Sequence, residues 1–375
     1  MTISPPATRR IGVAAISALA CAAMLVPSSA SAAPPPSASA GTAAGNVTAA
    51  AWAAGRAKHG RGATTQQALE AYWTPERMRS AVDAEELPEF KAAIAQHDRD
   101  SAAKQQDVGK AGPARPEPAA KPFAVPSVTG AAAPQPQPQE RAYNPNYSYW
   151  QIPAYTNGKI FFTTPGGGTA GCSGAIVNSE GADTVWTAGH CLHSGSGGNW
   201  YSNWVFIPAY DDDLANPRPY GTWTPWWVQT RPAWANSSDF TEDMGVMIMN
   251  TNFGGWHIVN YFGGHGFRAN LGKYTYENSF GYPGEYPFDG GNLNRCWGYA
   301  TPEWTSGSYT SDTIKIPCDM TRGMSGGPWL YGFDGNWGNL NGINSRIDRI
   351  VGPTISLSPY FDNTAVDLYN ITRNM

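Results

Sequence analysis

The sequence predicts an all-β protein over residues 146–375, built as a sandwich or as barrels. Short runs of Val, Ile, Trp, Tyr and Phe alternate there with clusters such as PGGGTAG, HSGSGGN and DGGNLN, which is typical of strands joined by turns. Long amphipathic helical patterns are absent from this part of the sequence. About 230 residues is large for one sandwich and comfortable for two small barrels. The sequence contains no internal repeat of about 20 to 50 residues, which argues against a propeller or a solenoid.

Residues 1–32 have the pattern of a secretory signal peptide. Arg9 and Arg10 precede an apolar run, and Ala30 to Ala32 form an A-x-A cleavage pattern. A lipid anchor on Cys21 is the alternative for this segment. We expect a secreted, extracellular protein that has no membrane association once the signal is removed.

Residues 33–145 are interpreted as a pro-region. Residues 33–64 are rich in Ala, Gly, Ser and Pro and are expected to be flexible. Residues 65–106 carry good helix formers, and Thr74 before Pro75 has the pattern of an N-cap, so a small helical unit is predicted. Residues 113–145 are rich in Pro, including PQPQPQ, and predict an extended linker.

Charge and cysteine content exclude some classes of function. The net charge of -4 argues against a nucleic-acid partner, which normally meets a basic surface. Four cysteines outside the leader predict two disulfides in an exported chain, and three pairings are possible. Closeness in sequence favours Cys172–Cys191 and Cys296–Cys318. The chain contains no CxxC pair, so a zinc ribbon is not predicted. We expect no metal and no cofactor.

Ser325 lies in Gly-Met-Ser-Gly-Gly, residues 323–327, which matches the G-x-S-x-G pattern of a nucleophilic serine. In α/β-hydrolases the catalytic histidine follows the serine, but no histidine follows His265 in this chain. A base and an acid that activate Ser325 must therefore precede it. The subtilisin order Asp, His, Ser fits poorly, because the acids shortly before His190 are Glu180 and Asp183 and the serine does not open a helix, so the order His, Asp, Ser remains.

His190 and Asp243 are the predicted base and acid. His190 lies next to last in TVWTAGHC, which has a strand-like beginning, and a histidine pKa near 6.5 suits a base that must take a proton from Ser325. Asp243 directly precedes an apolar run, so that a following strand would hold its carboxylate against the imidazole. Asp239 and Glu242 are the alternative acids.

The motifs TAGHC, DMGVMIM and GMSGGP together resemble the trypsin-like serine endopeptidases of the chymotrypsin fold. They are most similar to the secreted bacterial branch that includes the glutamyl endopeptidases, as is the stretch SFGYPGEYP. The resemblance covers roughly residues 160–350. It implies two six-stranded antiparallel β-barrels with the site in the cleft between them, and an oxyanion hole formed by the amides of Gly323 and Ser325.

Met324 departs from the family pattern. Many trypsin-like enzymes have Asp directly before the nucleophile, where it pairs with a newly freed N-terminus, and Met cannot form that ion pair. We therefore expect that residues 33–145 inhibit the enzyme or assist its folding until proteolysis removes them; a simple spacer is the alternative.

Three residues are predicted to contact substrate. Asp319 stands six residues before the nucleophile, where trypsin has the acid that binds Lys or Arg side chains. Asn344 replaces a histidine that helps the glutamyl branch bind a Glu side chain, which weakens the expectation of Glu specificity. Ser345 is expected to border the same pocket.

The sequence thus predicts a secreted serine endopeptidase that acts on proteins or peptides and has its own pro-region as a partner. Two alternatives remain open. One is an esterase that uses the same three residues. The other is a catalytically idle binding module whose many tryptophans, 15 in the whole chain, bind glycans.

Overall fold

The computed structural model describes residues 40–44, 47–103, 120–122, 139–143, 147–305, 308–348 and 355–375. The predicted signal peptide, with Cys21, and most of the Pro-rich linker lie outside these ranges. Within them, no helix combines the length and the apolar character needed to cross a membrane.

Strands dominate the structure. In chain order they are β1 Ala40–Ala43, β2 Val82–Asp83, β3 Gln139–Tyr143, β4 Asn157–Thr163, β5 Thr169–Ile176, β6 Thr184–Thr187, β7 Ser202–Pro208, β8 Pro225–Thr230, β9 Gly245–Met249, β10 Gly266–Phe267, β11 Tyr276–Gly281, β12 Asn294–Tyr299, β13 Thr301–Thr305, β14 Ser308–Pro317, β15 Pro328–Tyr331, β16 Asn339–Ile343, β17 Arg346–Asp348 and β18 Ile355–Pro359. The α-helices are α1 Ala49–His59, α2 Thr65–Tyr72, α3 Pro75–Arg79, α4 Pro88–Ala103, α5 Ile152–Thr156, α6 Pro232–Ser237, α7 Ile258–Phe262 and α8 Asn363–Thr372.

The first barrel consists of β4 to β9. The strands lie in the order β8-β9-β6-β5-β4-β7, and each neighbouring pair is antiparallel. Phe206 on β7 and Trp223 just before β8 exchange two backbone hydrogen bonds of 2.8 and 2.9 Å, which close the barrel. Two strands from the N-terminal region join this sheet, because β1 pairs with β8 and β2 pairs with β5.

The second barrel follows in the chain and contains β10 to β18. One sheet has the order β10-β16-β15-β11-β12-β3, and the other has the order β13-β14-β18-β17. The backbone N–H of Ser345, just after β16, donates to the carbonyl of Leu357 on β18 at 2.9 Å and links the two sheets. The predicted all-β double-barrel class, preceded by a partly helical region, is confirmed.

Buried aromatic and aliphatic side chains fill the first barrel, in keeping with the alternating apolar runs of the sequence. Ile160, Phe162 and Trp186 are fully buried within it. Trp186 also contacts Phe361 at a ring-centroid distance of 5.4 Å, so the C-terminal segment packs against this barrel. Tight core packing of this kind fixes the strand ends from which the loops of the site emerge.

The N-terminal region is more ordered than the sequence led us to expect. Thr74 caps α3 as predicted, because its side chain accepts a hydrogen bond from the N–H of Arg77. Residues 49–59, expected to be flexible, instead form α1, which Thr48 caps through Ala51. Small residues let α1 approach α2 closely, and a Cβ at Gly55 would lie 2.7 Å from the Cα of Ala68. Composition alone hides such a helix because its stability comes from packing.

The predicted Pro-rich linker also touches the second barrel at two places. Residues Gln139–Tyr143 pair as β3 with β12, and the carbonyl of Ala120 accepts a hydrogen bond from the N–H of Phe267 at 3.1 Å. The backbone at these places is extended, as predicted, but it is paired with the barrel.

Both predicted disulfides are present. Cys172–Cys191 joins β5 to the turn after β6, and Cys296–Cys318 joins β12 to the segment after β14. The first bridge lies directly beside His190, so it anchors the loop that carries the predicted base.

Candidate active site

His190, Asp243 and Ser325 come from three loops that meet between the barrels. His190 lies in a short 3-10 turn, Gly189–Cys191, after β6, and Asp243 follows a second such turn, Phe240–Glu242, just before β9. Ser325 lies in the loop before β15 of the second barrel. All three side chains are almost completely buried. Each of the three loops is joined to a strand of a barrel, and that strand holds the residue in a fixed position.

Asp243 holds His190 by two hydrogen bonds. Its Oδ2 lies 2.8 Å from the Nδ1 of His190, and its Oδ1 accepts a 2.8 Å hydrogen bond from the backbone N–H of the same residue. The Ser345 hydroxyl donates to Oδ2 at 2.7 Å. Three donors thus fix a carboxylate that is completely buried. Ser345 was expected to border the substrate pocket, but its hydroxyl supports the acid.

The electrostatics of this pair favour a basic imidazole. Burial acts to lower the pKa of His190, but the charge of Asp243, its hydrogen bond and the charge of Glu85 together outweigh burial, and the net pKa lies above the ordinary value. Asp243 contacts Nδ1, which leaves Nε2 as the nitrogen that can exchange a proton with a substrate or a nucleophile.

The loop around Ser325 is held by contacts from both barrels. Ser173 on β5 donates its hydroxyl to the carbonyl of Gly323 at 2.9 Å, and its N–H donates to the carbonyl of Ser325 at 2.6 Å. Gly323 has a φ of 94°, and a Cβ there would lie 2.6 Å from the carbonyl oxygen of Tyr282. Only glycine fits this conformation and this space without strain.

Asn344 lies beneath the same loop and is fully buried. Its Nδ2 donates to the carbonyls of Phe280, at 2.9 Å, and Met324, at 3.3 Å. Its Oδ1 accepts from Ser279 Oγ at 2.8 Å, from Trp329 Nε1 at 2.7 Å and from Ser356 Oγ at 2.8 Å. The amide is therefore committed to contacts within the protein. This corrects the expectation that Asn344 binds substrate.

Met324 is almost completely buried and belongs to an apolar cluster with Met320 and Trp329. The loop before Ser325 is thus anchored by apolar packing and by the Asn344 amide, without an ion pair at position 324. Asp319 is half-buried near the start of the loop, and its role in substrate selection stays a prediction.

Glu85, from the N-terminal region, occupies the space between Ser325 and Gly323. Ser325 Oγ donates to Glu85 Oε1 at 2.5 Å. The N–H of Gly323 donates to Oε2 at 3.1 Å and to Oε1 at 3.3 Å. Sequence reasoning missed this residue, because Glu85 stands in an ordinary acidic stretch of the helical unit and lies 240 positions from its partner.

Asp83 lies beside Glu85 and is also close to Gly323, where a Cβ would come within 2.5 Å of Asp83 Oδ1. Burial, followed by the charge of Glu85, raises the pKa of Asp83 to about 7, while Lys159 opposes the shift. The Lys159 ammonium is buried and donates to the carbonyl of Gly290 at 2.7 Å. The charged groups that act on Asp83 are Glu85, Lys159, Glu285 and Glu86.

One group of metal-ligating residue types lies at the site, formed by Cys172, His190 and Cys191; no other was found among the residues that the structure describes. Both cysteines are joined in a disulfide, so neither offers the thiolate that a zinc ion requires. His190 is already engaged by Asp243.

Comparison with known proteins agrees with this architecture. No known family profile matches the chain. An extracellular metalloprotease of Bacillus subtilis (strain 168) is 34% identical over 92 residues, and the match spans 24% of this chain and 27% of that protein. The chain therefore covers only about a quarter of the length of that curated relative.

Two solved structures are more informative. The thermostable serine protease AL20 from an extremophilic microorganism is 36% identical, with a TM-score of 0.54, and the match covers 60% of this chain and 99% of AL20. The protease Anisep from Arthrobacter nicotinovorans is 34% identical, with a TM-score of 0.54, and the match covers 60% of this chain and 98% of Anisep. A Glu endopeptidase matches at 17% identity and a TM-score of 0.49, too distant to place the chain in the glutamyl branch.

Nearly the whole length of two bacterial proteases is thus matched at more than 30% identity, and the double barrel agrees with their class. The chain belongs to the bacterial serine proteases of the chymotrypsin-like fold.

Proposed function

We propose that the protein is a secreted serine endopeptidase that hydrolyses peptide bonds through an acyl-enzyme on Ser325. The observation that carries the proposal is the convergence of two donors on one oxygen. Ser325 Oγ and the N–H of Gly323 both point at Glu85 Oε1, at 2.5 and 3.3 Å. In peptide hydrolysis the hydroxyl oxygen attacks the carbonyl carbon while the oxyanion donor binds the carbonyl oxygen, so both groups must face one carbonyl, as they face one carboxylate here.

The chemistry follows from the neighbouring groups. Ser325 Oγ attacks the substrate carbonyl carbon while Nε2 of His190 takes its proton, and the carbonyl oxygen becomes an oxyanion. The amides of Gly323 and Ser325 stabilise that charge, a contribution of about 3 to 4 kcal/mol per donor in enzymes of this kind. Asp243 stabilises the imidazolium.

The second half of the reaction returns the enzyme to its starting state. The imidazolium gives its proton to the leaving amine, which departs as the C–N bond breaks and leaves an acyl ester on Ser325. Water then attacks the ester with His190 as base, the carboxylic acid is released, and the Ser325 hydroxyl is restored. No cofactor supplies an electron or a group in this sequence.

Specificity is open to direct test. Asp319 is proposed to favour a basic P1 side chain through its carboxylate, by charge-assisted hydrogen bonds. Asn344 is committed to contacts beneath the catalytic loop, so it lends no support to Glu recognition.

The tryptophans give little support to the binding-module alternative. Trp186, Trp204, Trp234 and Trp329 are all buried, whereas Trp150, Trp226 and Trp256 are the exposed tryptophans among the described residues. Burial of an aromatic ring in the core is a sufficient reason for its presence.

The test is peptide cleavage by the processed protein with a library that varies the P1 residue, beside Ser325→Ala. We expect cleavage by the wild type and none above background by the variant. Ser196→Ala, which alters an exposed serine, is the matched control and should cleave like the wild type. Equal cleavage by the wild type and Ser325→Ala would remove Ser325 from the mechanism. Ester substrates in the same assay separate an esterase, which would hydrolyse them and leave the peptides intact.

A further inference from the structure

We propose that residues 82–97 are a built-in inhibitor of the catalytic cleft, in which the Glu85 carboxylate takes the place of the substrate carbonyl. This inference rests on the proposed function, since it names the partner that occupies the same site before processing. Glu85 is 4% exposed, so its charge is almost entirely enclosed by the groups it contacts.

First, the hydroxyl of Ser325 is engaged by Glu85 and is not available as a nucleophile. A carboxylate is only an acceptor, and Glu85 uses both of its oxygens on Ser325 Oγ and the N–H of Gly323. The Ser325 proton is directed to Glu85. Within the described part of the structure, the buried Nε2 of His190 has no hydrogen-bond partner. The base and the nucleophile are therefore not coupled.

The second step is resistance to cleavage. The group at Ser325 is a side-chain carboxylate, which has no amine leaving group and whose negative charge opposes attack by an alkoxide. The backbone around Glu85 forms a 3-10 turn, Ala84–Glu86, in which the carbonyl of Ala84 accepts a hydrogen bond from the N–H of Leu87 at 3.1 Å. The group that Ser325 Oγ contacts is thus a carboxylate and not a peptide carbonyl.

Contacts on both sides of Glu85 hold it in register. Upstream, β2 pairs in parallel with β5, with Asp83 opposite Gly171. Downstream, Glu86 forms an ion pair with Arg322 of the catalytic loop. These two contacts lie on opposite sides of the turn and prevent the carboxylate from sliding out of the donor pair.

Phe90 covers the base itself. Its ring lies 4.5 Å from the imidazole of His190, centroid to centroid, and 5.6 Å from the ring of Phe240. It is buried with Trp234 in a small apolar cluster that joins α4 to the rim of the cleft. An apolar ring at this place excludes a substrate side chain from the surface of the imidazole.

The helical unit anchors the inhibitor to the first barrel, outside the cleft. The indole N–H of Trp73 donates to the carbonyl of Asn203 at 2.7 Å, and the Trp73 ring packs against Phe161 at 5.5 Å. Met78, Leu69 and Tyr72 share this apolar cluster with barrel residues. The helical unit that precedes residues 82–97 is therefore held to the barrel largely by apolar burial, while Glu85 blocks the site.

The test measures how fast a fluorophosphonate labels Ser325 in the full chain after signal removal, with intact mass spectrometry to score uncut and shortened species separately. We expect slow labelling of the uncut wild type, and labelling about tenfold or more faster in uncut Glu85→Ala, because two charge-assisted hydrogen bonds are lost. Phe90→Ala provides a second variant that opens the cleft by another route.

Two control variants are used to interpret the labelling rates. Glu76→Gln changes an exposed acid of the same region and should label like the wild type. Ser325→Ala should not label at all. Labelling of the uncut wild type as fast as uncut Glu85→Ala and Phe90→Ala would overturn the inhibitor and leave the protease proposal standing. If no species of any chain is labelled, the proposed function itself fails, and the inhibitor fails with it.

Discussion

Asn344→Ala should destabilise the protein strongly, although the residue is predicted by motif to contact substrate. The substitution removes five hydrogen bonds from a fully buried site. The hydroxyls of Ser279 and Ser356 can turn about their C–O bonds and are left out of the sum, and the carbonyl of Met324 keeps the N–H of Gly327 at 2.9 Å. The indole N–H of Trp329 loses its acceptor and the Phe280 carbonyl loses the amide.

The magnitude follows from those two groups. A buried donor or acceptor left without a partner costs about 1 to 3 kcal/mol, so two cost about 2 to 6 kcal/mol in the free energy of unfolding. The carbonyl of Met324 also loses its hydrogen bond from the Asn344 amide, so the loop that carries Ser325 is held less firmly. We therefore expect kcat to fall while the order of preferred P1 residues stays the same.

The assay is urea denaturation of the full chain in a Ser325→Ala background, which prevents autolysis. Asn339→Ala is the matched control at the other end of β16, because within the described structure that side chain makes a single hydrogen bond, of 3.5 Å, to the carbonyl of Tyr331. We expect its effect to stay within about 0.5 kcal/mol. A loss below about 1 kcal/mol for Asn344→Ala would refute the account. A changed P1 ranking in the active background would instead restore the substrate-binding role.

Three further outcomes can be measured. Asp243→Asn should lower kcat about 10⁴-fold, because an amide neither stabilises the imidazolium nor fixes its tautomer; a loss below tenfold would mean that another acid acts on His190. In the processed protein, kcat/KM should rise with pH through the pKa of His190, because the base must be neutral; the charge of Asp243 and its hydrogen bond act to raise that pKa, so the midpoint should fall in Asp243→Asn, and an unchanged midpoint contradicts the assignment. Burial raises the pKa of Asp83 to about 7 only while the inhibitor is bound, so the bound state keeps a proton that the free segment releases. Inhibition should therefore weaken as pH rises from about 4 to 7. The ratio of the labelling rate of the uncut chain to that of the processed form should therefore rise over this pH range. If the ratio rises in the same way in Asp83→Asn, another titrating group is responsible.

Much of the fold was predictable because its signals are local. Alternating apolar runs and turn clusters predicted strands, and closeness in sequence predicted both disulfide pairs. The N-terminal strand and helix at residues 40–43 and 49–59 were missed, because both are stabilised by partners elsewhere in the chain, β8 and α2.

The site was predictable to the extent that its residues carry motifs. His190, Asp243 and Ser325 stand next to strand patterns, glycines and a cysteine, and those neighbours mark them in the sequence. Asn344 and Ser345 were marked by the same kind of pattern. The pattern located them near the site but could not show which way each side chain points.

The sequence by itself predicted the strands and turns, favoured the two disulfide pairs and marked the three residues proposed to carry the chemistry, because these signals come from neighbours along the chain. The double barrel was implied by the resemblance of three motifs to a known family. Only the tertiary structure decided that Asn344 supports the catalytic loop, that Ser345 holds Asp243 and that Glu85 fills the space at Ser325. The reason is physical: these hydrogen bonds join groups that are far apart in sequence or depend on side-chain direction, and the packing of the two barrels and the N-terminal region alone brings them within reach.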